Sequence, residues 1–120
     1  MASELLRSLN EKQKEAVVSF GSPLLVLAGA GSGKTRVITH RIAYFIHNHG
    51  VAAKNIVALT FTNKAAEEMR TRLEGMLGRI ACEVEICTFH ALGLKILQTE
   101  KEHLGYGKGF VYMIRPINWP

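Results

Sequence analysis

Eight consecutive residues carry the most specific chemistry in this chain: Ala28, Gly29, Ala30, Gly31, Ser32, Gly33, Lys34 and Thr35. Three glycines in such a run let successive backbone N–H groups turn inward on a single anion. A helix starting at their end adds unpaired amide donors and the positive end of its dipole. Lys34 then supplies a charge for the outer phosphates of a nucleotide, and the Thr35 hydroxyl stands where a magnesium ion needs a ligand. Ala28 occupies the first place of the eight, where glycine is usual, but the turn itself is made by Gly29, Gly31 and Gly33. Context separates this run from a chance Gly-Lys-Thr. The apolar quartet Leu24, Leu25, Val26 and Leu27 precedes it, and Arg36 to Ile42 follows with apolar residues at helical spacing. Strand, glycine turn, helix is the setting in which these residue types hold phosphate.

A second group of candidates lies at the ends of later apolar runs. Phe61, Thr62, Asn63 and Lys64 follow Ile56-Val57-Ala58-Leu59, and Thr88, Phe89 and His90 follow Val84 to Cys87. Open parallel sheets bind ligands at this edge, where strand gives way to loop. An aromatic ring beside hydroxyl, amide and ammonium groups suits a single nucleic-acid strand, because the ring stacks on a base while the polar groups take phosphates. A bland alternative stands beside each. Thr62 or Asn63 would serve simply as a helix cap, and Phe89 as packing under a loop. Gln13 is also double-valued: it completes a capping box with Asn10, or offers donor and acceptor to the edge of adenine.

The elements that must position these groups follow from the pattern. Leu5 to Leu9 read as an ordinary leader, Asn10 to Val18 as a short helix, and Leu24 to Leu27 as the first strand. The helix after the glycine turn runs to about Asn48 and stops at Gly50, with Ile38, Ile42, Phe45 and Ile46 on its apolar face. Asn55 to Phe61 is the next strand, and the helix after it carries Ala66, Met69, Leu73 and Met76 on one side and closes at Gly78. Val84 to Cys87 and a helix over Ala91 to His103, ending near Gly105, repeat the unit. Near-continuous apolar strands alternating with helices predict an α/β fold whose parallel sheet is covered on both faces, with right-handed crossovers.

Composition narrows the classes. The 120 residues suffice for one small domain, and the net charge of +5 favours a polyanionic partner such as ATP or nucleic acid. Cys82 and Cys87 have no second pair at metal spacing and read as reduced, small apolar residues. His40, His47 and His49 lack a partnering carboxylate or cysteine and read as solvated rather than metal-binding. Without a membrane span or a signal-peptide core, the chain is expected to be soluble and cytoplasmic, with no membrane partner.

Four stretches together resemble the opening motifs of UvrD/Rep-type superfamily 1 DNA helicases. They are Leu-Asn-Glu-Lys-Gln-Lys-Glu-Ala-Val at 9–17, the glycine run at 28–35 with Arg36, Ala-Leu-Thr-Phe-Thr-Asn-Lys-Ala-Ala-Glu-Glu-Met at 58–69, and Cys-Thr-Phe-His-Ala-Leu at 87–92. The resemblance spans residues 7 to 112, in the family's order and spacing. It implies a P-loop, RecA-like sheet flanked by helices, truncated here, with ATP and Mg2+ as cofactors and single-stranded DNA as partner. It also implies that Gln13 reads adenine, that Lys34 and Thr35 serve phosphates and magnesium, that Arg36 borders the nucleotide, and that Phe61, Asn63, Thr88 and His90 line the DNA track.

That family hydrolyses ATP with an acidic pair at the end of a later strand and an arginine across the cleft. No apolar strand of this chain ends in Asp-Glu. The family's chain is several times longer, so the remaining helicase domains are implied partners, and the present chain reads as a truncated or excised part that binds but does not hydrolyse. Residues 1–112 are expected to be motor domain, and 113–120 an unrelated or disordered tail. Two other classes fit the glycine run: a small free-standing P-loop kinase, and a non-catalytic single-strand-binding protein with a vestigial loop.

Overall fold

The computed structural model describes residues 2–27, 33–100 and 103. The glycine-run residues Ala28, Gly29, Ala30, Gly31 and Ser32 lie outside the described residues, as does the expected tail at 113–120. The chain divides into two compact units, Met1–Thr88 and Phe89–Pro120.

The first unit begins with α1 (Ala2–Arg7) and α2 (Glu11–Val18). The first residues of the expected leader, 5–7, are therefore helical and its last, Leu9, is buried, and α1 packs on the long helix α3 (Lys34–His49). The start of α2 is fixed reciprocally. Asn10 Oδ1 accepts from the Gln13 N–H at 2.9 Å, and Gln13 Oε1 accepts from the Asn10 N–H at 3.0 Å, a complete capping box. Ala16 and Val17 bury against α3. At its other end α3 stops at Gly50, whose φ of 64° is left-handed and whose N–H reaches back to the Phe45 carbonyl.

Two strands follow, β1 (Val57–Thr60) and β2 (Glu85–Thr88), joined through α4 (Asn63–Leu77). They pair in parallel, with Ala58 level with Ile86 and Thr60 level with Thr88. The Thr62 hydroxyl caps α4 by accepting from the Ala65 N–H at 3.1 Å, and Gly78 ends the helix. Ala66, Met69 and Leu73 form its buried stripe, packed with Ile42, Ala58, Val84 and Ile86 into one core.

Two expectations give way here. Among the described residues the sheet has two strands, and Leu24 to Leu27 is not one of them. A strand is defined by ladder partners, and these residues find none among the described residues; Leu25 and Leu27 remain 83% and 88% exposed. Nor, among the described residues, is the sheet covered equally on both faces, since Ala58 and Ile86 are buried while Val57 on the opposite face is 52% exposed.

The second unit contains α5 (Phe89–Thr99), which starts directly after β2. Phe89 and His90 are thus first-turn helical residues rather than an exit loop. No residue of α5 is buried, and Phe89 and Ile96 are exposed. Both cysteines are free; Cys82 is exposed and Cys87 half-buried.

Candidate nucleotide and nucleic-acid site

The end of the glycine run is described where it meets α3. Gly33 has φ 82°, a left-handed conformation that side chains with a Cβ rarely adopt. A Cβ placed there would also lie 3.1 Å from Gln13 Nε2. The backbone angle is what calls for glycine here, and a Cβ would in addition oblige the Gln13 amide to give way by a few tenths of an ångström. Lys34 is the first residue of α3 and exposed, Thr35 is half-buried, and Arg36 is exposed.

The first turn of α3 is held by Thr39, almost wholly buried, whose hydroxyl reaches the carbonyls of Thr35 at 3.1 Å and Arg36 at 3.0 Å. His40 Nδ1 lies 2.8 Å from the same Arg36 carbonyl. Carbonyls of this turn are engaged toward the helix C-terminus, while its N-terminal end keeps the donor polarity on which anion binding relies.

Gln13 and Lys34, twenty-one positions apart in sequence, line one cleft of about 480 Å³. Val26, Leu27, Val37 and Ile38 supply apolar wall, and Arg41 a further cation. A mostly apolar hollow with a few convergent polar groups is the usual form of a small-molecule site. The capping reading of Gln13 is seen directly, its oxygen serving the α2 cap, while its nitrogen stands against Gly33 at the rim of the cleft. The apolar wall was not singled out from sequence, and the signal for it was Val37 and Ile38 at the helix start together with the quartet at 24–27.

At the other candidate site the level register of Thr60 and Thr88 brings two strand ends to one edge of the sheet. Phe61 projects there at 85% exposure, with Thr62, Asn63 and Lys64 also exposed beside it. Thr60 Oγ1 donates to the Thr62 carbonyl at 3.0 Å and so tightens the turn that carries Phe61. Thr62 is the α4 cap, so its hydroxyl oxygen already accepts one backbone bond. Thr88 is buried at the end of β2. Phe89, 56% exposed, and His90, also exposed, lie in the second unit on the first turn of α5. Exposure of Phe89 goes against simple packing under a loop.

Among the described residues no group of three or more His, Cys, Asp or Glu side chains is placed to hold a metal ion. No helix among them is long and apolar enough to cross a membrane. The histidines expected to be solvated are more engaged than that: besides the His40 contact, the His49 ring stacks on Phe20 with centroids 4.1 Å apart.

Comparison with known proteins bears on the same stretches. Residues 9–116 match the family model described as the UvrD/REP helicase N-terminal domain. The chain is 49% identical over 110 residues to the ATP-dependent DNA helicase PcrA of Bacillus subtilis (strain 168), covering 92% of this chain and 15% of that protein. It is 49% identical over 107 residues to the protein of the same name from Leuconostoc citreum, and 45% identical over 106 residues to that of Staphylococcus aureus (strain Mu50 / ATCC 700699), in each case covering 88% of this chain and 14% of the relative. The chain thus spans about one seventh of the length of these relatives. On a match that takes in nearly all of its residues, the chain belongs to the UvrD/REP helicase N-terminal domain family.

Proposed function

We infer that this chain is the ATP-gripping opening of a DNA-helicase motor, in which residues 1–112 are the first part of a P-loop, RecA-like domain. The observation that carries this reading is the junction at Gly33 and Lys34. A left-handed glycine hands the chain into a sixteen-residue helix whose first side chain is a lysine, with the amide of Gln13 drawn against that glycine. Gly33 would let the backbone approach a phosphate, Lys34 would meet the outer phosphates, Thr35 would ligate Mg2+, and Gln13 and Arg36 would border the base. Bound Mg–ATP would supply the phosphoanhydride whose hydrolysis would drive movement along one DNA strand in a complete motor. The exposed ring of Phe61, with Asn63 and Lys64 beside it, supports single-strand binding by stacking and phosphate contact, with Thr88 at the neighbouring strand end; Phe89 and His90 are candidate strand contacts of the second unit in this reading. Without an acidic pair at a strand end to orient water, the 120-residue chain binds and does not turn over.

The test is anisotropy of a labelled single-stranded oligonucleotide, titrated with the chain at rising salt and with or without Mg–ATP. Affinity that falls with salt and changes when Mg–ATP is added is the expected result. Strand binding indifferent to Mg–ATP would point instead to a nucleic-acid-binding protein with a vestigial loop, and absence of any binding would contradict the reading.

A further inference from the structure

Arg70 makes a contact that the apolar stripe of α4 does not require. The Glu85 N–H donates to the Ile56 carbonyl at 3.0 Å, and Val57 stands level with Glu85 in the parallel ladder. Along a parallel strand, alternate residues turn their backbone groups toward the same neighbour. Glu85 and Cys87 accordingly face β1, and the backbone of Ile86 faces the opposite side, which is the outer edge of the sheet among the described residues. There the Ile86 carbonyl accepts from Arg70 Nη2 at 2.8 Å. A sheet-edge carbonyl ordinarily goes to water or to another strand. Here a half-buried guanidinium from the covering helix takes it.

We propose that Arg70 is a positioning residue for single-strand binding: by clamping α4 to the outer edge of β2, it fixes the offset between Phe61–Lys64 and Thr88. The proposal rests on the reading of those strand ends as a single-strand track. Ala66, Met69 and Leu73 hold α4 on the sheet by burial, which is non-directional and leaves small slides along the strands inexpensive. A charge-assisted hydrogen bond is directional and specifies one offset. Its placement suits that task. Arg70 lies about two helical turns beyond Asn63, and Ile86 lies two residues before Thr88, so the bond ties the two candidate strand ends together close to where they emerge.

The test compares the wild-type chain with Arg70→Met, Arg70→Lys and Arg72→Met. Met keeps the length of the stem without a donor, Lys keeps one donor, and Arg72→Met removes the same charge from an exposed position two residues on. Strand affinity is read by anisotropy with labelled oligothymidylate, Mg–ATP affinity by titration, and the strand ends by the amide resonances of Thr60 and Thr88. Arg70→Met is expected to weaken strand binding about tenfold, in keeping with loss of one hydrogen bond to a charged group, to shift both amides, and to leave Mg–ATP affinity unchanged. Arg70→Lys should recover about half of the loss on a logarithmic scale, and Arg72→Met should shift neither amide. Equal strand affinity in wild type and Arg70→Met would overturn the clamp, as would the same loss in Arg72→Met. Joint loss of strand and nucleotide binding in Arg70→Met would reduce Arg70 to general support and overturn it too. Should Arg70→Met not fold, Arg70→Lys decides, with a loss of about threefold confined to strand binding expected from its single donor and no loss overturning the proposal. A wild-type chain that binds no strand would overturn the functional reading itself.

Discussion

Two apolar quartets introduce the two candidate sites, Leu24-Leu25-Val26-Leu27 and Ile56-Val57-Ala58-Leu59, and their fates differ. The second enters β1, level with β2 and covered by α4, with Ala58 in the main core. The first has no ladder partner among the described residues and leaves Leu25 and Leu27 almost bare. Composition barely separates the two, so neighbours do: an apolar run becomes a strand when another strand takes its backbone and a helix takes its side chains. One candidate site therefore rests on a packed β1-α4-β2 unit. The other rests on the first turn of α3 and its contact with α2.

Substitutions that weigh the two regions should break along the same line. Leu73 is fully buried under the paired strands, and Leu73→Ala should cost about 2–5 kcal/mol in denaturant unfolding; a cost below 1 kcal/mol would mean this core is not what holds the unit. Thr62→Ala removes the α4 cap and should cost about 1 kcal/mol, with Thr62→Ser restoring most of it. Thermal unfolding followed by circular dichroism reads both, and equal stability of wild type and Thr62→Ala would show the cap to be idle. The smallest effect belongs to the unpaired quartet, where Leu25→Ser should change stability by no more than about 0.5 kcal/mol. A loss there as large as at Leu73 would erase the contrast between the regions.

What could be read in advance was local. The capping box of Asn10 and Gln13, the stop at Gly50, the cap at Thr62 and the end of α4 at Gly78 all depend on residues within one or two turns, and the sequence states them directly. What escaped depends on distant partners. Leu9 looks like part of a leader, yet it is buried in the folded chain. The quartet at 24–27 has strand propensity but no neighbouring strand among the described residues. Phe89 reads as part of a strand exit because a strand passing straight into a helix leaves no turn residue to mark the boundary. At the site, the glycine-lysine junction was legible from residue types alone, whereas the approach of Gln13 to Gly33 bridges twenty positions and the Arg70 bond to Ile86 sixteen.

The account depends most on Lys34 at the head of α3, and titration with a fluorescent ATP analogue in the presence of Mg2+ tests it directly. The wild-type chain should bind saturably, and Lys34→Ala should lose that binding while keeping its circular dichroism spectrum and melting temperature, since the side chain is exposed. Equal affinity in the two proteins would contradict it.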